Sequence, residues 1–430
     1  MERRQFLVGA AALASVGLGT QAAQAQTSDS RARIVIAGAG AAGLALASRL
    51  RRAMPNATIT IIDAKKEHHF QPGFTLVGAG VWSPAQVTER NVDYMPRGVE
   101  WVEAAVAEFD PEANAVVTTT GQRIDYDFLM VATGLKLNYE AIEGMDVSLI
   151  GENGIASIYA GPEQARASAA AIDRFIDTGG VGLFGRPAGE MKCAGAPLKI
   201  TFITDDKARS KTRRGAVELI YNAHNPAVFS VAAVNDKVTD MFAGRDIAVN
   251  YSHVLKAIDP GAKQATYATE SGDITLDYDF IHVVPPMRAP DAVLASPLPW
   301  QDGALAADGW IEADRATLRH PRYPNVFAVG DIAGVPRGKT AASVKWQVPV
   351  VVDNLVAETA GRTPQAVYNG YTSCPMVTGI GKAMLIEFDY DGNLIPSFPF
   401  IDPLKELWVS WLIEEKGLLG AYRAMLRGRA

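Results

Sequence analysis

The sequence is poor in the residues that staple or metallate a chain, with two cysteines and six histidines in 430 residues. Two thiols can build neither a disulfide-dense secreted scaffold nor a four-ligand zinc site of the cysteine-rich kind, and no metal site is expected. Long runs of Lys or Arg are also missing and the net charge is −6, which speaks against nucleic acid as a partner. Beyond the N-terminal region no stretch is long and apolar enough to cross a bilayer. What remains is 48% hydrophobic and 20% charged, the composition of a globular chain with a large core. Its length calls for two or three domains.

The two cysteines stand far apart, Cys193 in "GEMKCAGAPLK" and Cys374 in "YTSCPMVTG", each among small residues, Gly and Pro. Two unrelated buried thiols, one structural disulfide and a reactive pair all satisfy that pattern. The N-terminus is set apart from the fold. Arg3 and Arg4 precede Phe6 and Leu7, a mild apolar run follows, and Ala23-Gln24-Ala25 is a cleavage pattern. It resembles a twin-arginine export signal over residues 1–25, which carries folded proteins across a bacterial inner membrane; an uncleaved anchor is the alternative. The expected location is the periplasmic side of that membrane, where a cysteine pair can rest oxidised.

"ARIVIAGAGAAGLALASRL" is a short apolar strand, a Gly38-x-Gly40-x-x-Gly43 turn containing Ala41 and Ala42, and a helical run. The next strand ends at Asp63, about twenty residues beyond Gly43, where an acid accepts from ribose hydroxyls. The glycines allow a tight turn and close approach of backbone to pyrophosphate, which the helix N-terminus faces. Two later stretches favour FAD over NAD. "YDFLMVATG" ends in Ala132-Thr133-Gly134, and "NVFAVGDIAG" ends its strand in Gly330-Asp331. Each alone is weak; the three in this order resemble flavoproteins with two dinucleotide-binding domains.

A second nucleotide-type unit is expected around the buried strand "VGLFG", but the following "RPAGEMKCAGAPLK" is no phosphate loop. Pro187 lacks an N–H, and Met191 and Lys192 stand where glycines would permit close approach. Cys193 near the start of the next helix, beside Lys192, favours a reactive over a packing thiol. After Asp331, "GDIAGVPRGKTAASVKWQ" starts a helix just past the aspartate. Lys339 there would face the flavin's pyrimidine end and stabilise its anionic reduced form, unless it is a solvated surface lysine. "KAMLIEFDYDG" and "LIPSFPF" alternate like strands. In the tail, Leu404, Leu407, Trp408, Trp411 and Leu412 fall at helical spacing, Gly417 breaks the run, and Leu418 to Leu426 resume it. Amphipathic helices with Trp and Arg suit a membrane interface; packing on the chain's own core is the alternative.

With "HFQPGFTLVGAG", "KCAGAPLK", "GKTAASV" and "YNGYTSCPMVTG" in place, the chain resembles the sulfide:quinone oxidoreductases over residues 33–428, most of all the subgroup with the mitochondrial enzymes. The resemblance implies an α/β fold: an FAD-binding Rossmann domain in two parts (32–140 and 301–365), a second Rossmann-like domain without NAD (141–300), and a C-terminal β-rich and amphipathic-helix region (366–430). It implies that Cys193 and Cys374 are the redox-active pair facing the flavin. FAD contacts are implied at the Gly38-to-Gly43 loop, Asp63, Gln71, Val106, Asp331 and Lys339. Sulfide, quinone and a sulfur acceptor are the implied partners, with peripheral membrane association through the tail; a homo-oligomer is left open. No cysteine lies near "HFQPG", so FAD is expected to be non-covalent, unlike in the flavin subunits of flavocytochrome c sulfide dehydrogenase. A cytochrome acceptor remains the alternative to quinone, and a non-sulfide flavin-dependent quinone reductase is a further one. A type II NADH:quinone reductase or a pyridine-nucleotide disulfide reductase would need an intact second phosphate loop or a close Cys-x4-Cys pair, and neither occurs. Glu190 and His224 are candidates for proton handling, with a structural role the favoured reading of each. Trp346 stands where a smaller residue is expected.

Overall fold

The computed structural model describes residues 27–429; the export-signal segment lies outside them. Two parallel sheets carry the chain. The first has five strands in the order Val326–Ala328, Phe128–Val131, Arg33–Ala37, Thr58–Ile62, Val99–Val102, in parallel register from Ile34 against Phe128 to Ile62 against Val102. Their near-continuous apolar runs follow from burial on both faces. The helices Ala41–Ala53 and Ala341–Thr359 pack on each other beside this sheet. The second parallel sheet runs Ile155–Ala156, Phe280–His282, Gly180–Gly185, Val217–Asn222, Ile247–Asn250, with the helices Pro162–Thr178, Ala196–Ser210 and Ala232–Ala243. A three-stranded antiparallel sheet accompanies each: Val106–Asp110, Ala115–Thr118 and Arg123–Asp125 with the first, Val254–Asp259, Gln264–Thr269 and Gly272–Asp277 with the second. The fold is thus α/β with two Rossmann-like units, and the last strand of the first sheet comes from far along the chain.

The C-terminal region adds a hairpin, Thr372–Gly379 with Lys382–Phe388, in which Cys374 lies opposite Ile386. The hairpin rests on the helix Ala196–Ser210. A buried carboxylate fastens the two together. Asp205 accepts from Arg209, Arg214 and Arg245, and Arg245 also donates to the Thr378 carbonyl at 2.8 Å and pairs with Glu406. Buried and fully partnered, such a carboxylate fixes one geometry.

Three local expectations are corrected. The helix expected just past Asp331 begins only at Ala341, capped by Thr340, whose side chain accepts from the Ser343 N–H. A short Gly330–Ile332 turn and the Ala333–Gly334 strand come first. "LIPSFPF" is not a strand; Pro396 and Pro399 offer no N–H to a ladder, and only Leu394 bridges, to Phe388. Gly417 does not break the tail. Trp408–Leu412 passes through a π-turn, Ile413–Gly417, into Leu418–Leu426. That last helix docks on the first domain: the Ser48 hydroxyl donates to the Leu426 carbonyl at 2.7 Å and Tyr422 meets His68 at 2.7 Å. No helix among the described residues is long and apolar enough to cross a membrane.

Candidate active site

The nucleotide cradle forms where the first sheet's strands end. Gly38 has φ 108°, and a Cβ there would overlap the Ala132 carbonyl oxygen. A Cβ on Gly43 would overlap the Gly38 carbonyl, so helix and turn close only with glycine. Gly40 differs: a Cβ there would meet nothing within 4 Å, leaving the open approach a phosphate needs. Asp63 accepts from the Ala39 N–H at 2.7 Å. Ala132 donates to the Ala37 carbonyl at 2.8 Å, laying Ala132, Thr133 and Gly134 against the turn. Gly330, at φ 80°, comes so close to Ala42 that a Cβ would meet it at 3.2 Å. The structure therefore brings Gly38, Gly40, Ala41, Ala42, Gly43, Asp63, Ala132, Thr133, Gly134, Gly330 and Asp331 to one edge.

Two buried polar atoms at this edge, the Thr133 hydroxyl and Gln347 Nε2, have no protein partner. Gln347 uses its Oε1 to accept from the Gly330 N–H at 2.8 Å. Orphaned groups of this kind beside a cradle shaped by glycine fit a dinucleotide such as FAD. Gln347 was missed in the sequence; its only signal is an amide on an otherwise apolar stretch of helix.

Lys339 is not a surface lysine. It is 4% exposed, donates to the carbonyls of Asp331 at 2.7 Å and Ala333 at 3.1 Å, and lies over the Trp310 ring at 3.6 Å. Burial lowers its pKa to about 8, against the pull of Glu190, Asp331 and Asp308. Gln71 accepts from Lys192 Nζ at 2.7 Å, tying the "HFQPG" turn to the Cys193 loop. Val106 sits just past Val102, whose carbonyl accepts from the Asp63 N–H, and opens a strand opposite Thr118. Trp346 is 49% exposed and packs on Tyr371 at 5.1 Å, so it turns outward rather than toward the cradle.

The two distant cysteines meet. Cys193 holds a left-handed backbone, φ 49°, and its N–H donates to the Lys339 carbonyl at 3.1 Å. Cys374 reaches it from the hairpin, and a Cβ on Gly195 would overlap the Cys374 sulfur. Only glycine lets the hairpin close over this loop. Both are free thiols, joined by a hydrogen bond. That bond, aided by Lys199 and Lys192 against burial, pulls the Cys193 pKa well below the ordinary thiol range. The same bond and burial push Cys374 far up. One thiolate and one thiol result.

Lys192 acts on the Cys193 thiol as expected, but a second buried lysine acts ahead of it. The helix begins at Ala196, beyond Cys193, and Lys199 acts on the thiol ahead of Lys192. Lys199 is 3% exposed in its side chain and faces Glu414, equally buried, at 3.9 Å. Burial would discharge Lys199, but Cys193, Glu414 and Cys374 raise its pKa instead. Burial raises Glu414 to about 7, with Lys199 opposing and Cys193 adding. Lys199 is the last residue of the quoted "KCAGAPLK"; Glu414 carries no signal beyond a place on an amphipathic tail.

The second sheet's strand ends add a polar wall. Tyr159 donates to the Cys193 carbonyl at 3.4 Å, and Arg186 Nε, the Tyr221 hydroxyl and His224 Nδ1 are buried without partners. Burial and Arg186 lower His224 to about 4, so it is neutral near pH 7; burial raises Glu190. After Gly185, residues 186–195 form a packed loop, with Met191 buried and the Lys192 N–H on the Met287 sulfur at 3.3 Å.

Residues 32–172 match the model of the pyridine nucleotide-disulphide oxidoreductase family. The chain is 36% identical over 387 residues to a mitochondrial sulfide:quinone oxidoreductase of Dictyostelium discoideum, covering 90% of this chain and 84% of that protein. It is 33% identical to the mouse mitochondrial sulfide:quinone oxidoreductase, covering 89% and 84%. Among solved structures it superposes on the sulfide:quinone oxidoreductase of Aquifex aeolicus with a TM-score of 0.75 at 22% identity, covering 92% of each chain.

Proposed function

Because the chain belongs to the sulfide:quinone oxidoreductase family, we propose that it oxidises sulfide at Cys193 and Cys374 and passes the electrons through non-covalent FAD to a quinone. The observation that carries this reading is the meeting of the two cysteines beside the cradle, linked to it through the Cys193–Lys339–Asp331 hydrogen bonds. In the oxidised enzyme the pair is a disulfide. Hydrosulfide attacks one sulfur; a new S–S bond gives a persulfide there, and the old bond breaks to leave a thiolate on the other cysteine. Lys199 and Lys192 offset that charge. A nucleophilic sulfur acceptor then takes the outer sulfur and leaves a second thiolate. The disulfide reforms as the pair gives up two electrons. Bound FAD supplies the two-electron acceptor between the cysteines and quinone.

The residues that would hold FAD are the Gly38-to-Gly43 turn at the pyrophosphate, Asp63 at the ribose, and Thr133, Asp331, Lys339 and Gln347 further along. Membrane contact is proposed for the C-terminal region, where Ile380, Phe400 and Trp408 are 43%, 69% and 57% exposed. A Cβ on Gly381 would lie 4.0 Å from the Trp408 ring, so turn and tail share that face. Export by the N-terminal segment would place it on the periplasmic side. Assaying the membrane-extracted protein with decylubiquinone and with cytochrome c tests the acceptor. Sulfide-dependent reduction of the quinone is expected; reduction of cytochrome c alone would overturn the quinone assignment.

A further inference from the structure

Lys199 and Glu414 are both buried, 3.9 Å apart, and no described group other than the cysteines shares their electrostatics. Glu414 comes from the tail's π-turn, the kind of helix irregularity that recurs at functional sites. That turn sends it inward while its neighbour Lys416 stays at the surface beside Glu415. Its second oxygen, Oε2, is buried with no hydrogen-bond partner. Lys192 and Asp331 also act on Cys193. A buried ammonium needs one negative neighbour, and a second one is costly. When Cys193 and Cys374 are bridged, neither carries charge, and Glu414 is the anion available to Lys199. When the bridge opens, the Cys193 thiolate becomes available as well.

We propose that Glu414 is the switchable counter-ion of Lys199, ionised while the cysteines are bridged and protonated once Cys193 is a thiolate. This rests on the disulfide cycle proposed above. The proton balance is closed at each step. Hydrosulfide brings one proton to the persulfide; the persulfide loses it, and the Glu414 carboxylate takes it up. When the disulfide reforms, Glu414 releases it. In the glutathione-reduced state Glu414 and Cys374 each hold one proton and Cys193 is the thiolate, so the site around Lys199 has the same net charge as in the bridged state. Glu414 is a positioning residue, acting on the sulfurs through Lys199, and it makes the tail part of the redox site.

The test uses the full-length holoprotein in glutathione redox buffers around neutral pH, without sulfide or quinone, reading dithiol against disulfide by thiol labelling. Each reduction draws two protons from two glutathione thiols. The wild type keeps both, one on Cys374 and one on Glu414, so its equilibrium constant is flat with pH. Glu414→Gln, of the same shape, keeps only one, and its constant for dithiol formation rises about tenfold per pH unit. Infrared difference spectra of the wild type add a readout that needs no variant: reduction brings up the carbonyl band of a protonated carboxylic acid, which Glu414→Gln lacks. A tenfold-per-unit slope in the wild type, a flat variant, or no such band overturns the assignment while leaving the disulfide cycle standing. Failure to form the disulfide in any buffer overturns both.

Discussion

Replacing Lys199 with methionine removes a buried cation from Cys193 while keeping most of the side chain's volume. The thiolate then loses a stabilising charge in a desolvated site, and its pKa should climb by about one unit or more. The pH dependence of iodoacetamide alkylation in the reduced protein reads this shift. In the wild type, rapid alkylation persists below the ordinary thiol range; in Lys199→Met it falls away at higher pH. An unchanged profile would mean that the Cys374 hydrogen bond alone holds the thiolate. Nothing in the sequence marks Lys199 above Lys192, because which lysine is buried depends on a tail more than two hundred residues later. The glycines of the cradle are different. Gly38 and Gly43 are each demanded by a backbone contact within one turn and its neighbouring strand, so residue type and spacing already state the geometry.

At the scale of elements, the loop before the Ala196–Ser210 helix and the hairpin are fitted to each other at one glycine. Gly195→Ala puts a methyl group into the Cys374 sulfur, an overpacking of about 1–3 kcal/mol that is relieved by moving the hairpin away. Thermal denaturation should show a folded, somewhat destabilised protein that no longer closes the Cys193–Cys374 bridge under oxidised glutathione. Closure at the wild-type rate would contradict the packing described. His282 tests the second sheet. It is buried at the end of its strand with neither ring nitrogen partnered, and burial lowers its pKa to about 3. The folded state therefore holds it neutral, while the unfolded chain binds a proton below about 6.5. Its contribution to stability is lost as pH falls from about 6.5 toward 3, by about 1.4 kcal/mol per pH unit. Urea midpoints of wild type and His282→Leu should diverge in that direction on acidification; parallel curves would refute a neutral buried ring. Elements whose pattern matched their burial, such as the strand Gly180–Gly185, were legible. "LIPSFPF" was not, because alternation without a partner and with two prolines makes no strand. The tail helix continues through Gly417 because packing on Ala41–Ala53 outweighs a glycine's modest helix penalty.

On the whole molecule, two Rossmann-like units and a C-terminal region converge where the strands of the sheets end. Of the exposed large apolar residues, Ile380, Phe400 and Trp408 sit on the C-terminal region. Changing Ile380 and Trp408 together to serine should abolish flotation with lipid vesicles while leaving the flavin absorbance intact; undiminished flotation would move the membrane contact elsewhere. The two-domain plan and the cradle were readable because they repeat local patterns. The convergence of Cys193 and Cys374 entered through resemblance, since no local pattern links segments so far apart. The measurement that bears most directly on the whole account is a sulfide titration of the flavin absorbance under anaerobic conditions. Wild type should bleach fully, and Cys193→Ser and Cys374→Ser should each fail to bleach while retaining bound FAD. Full bleaching of both serine variants by sulfide would contradict it.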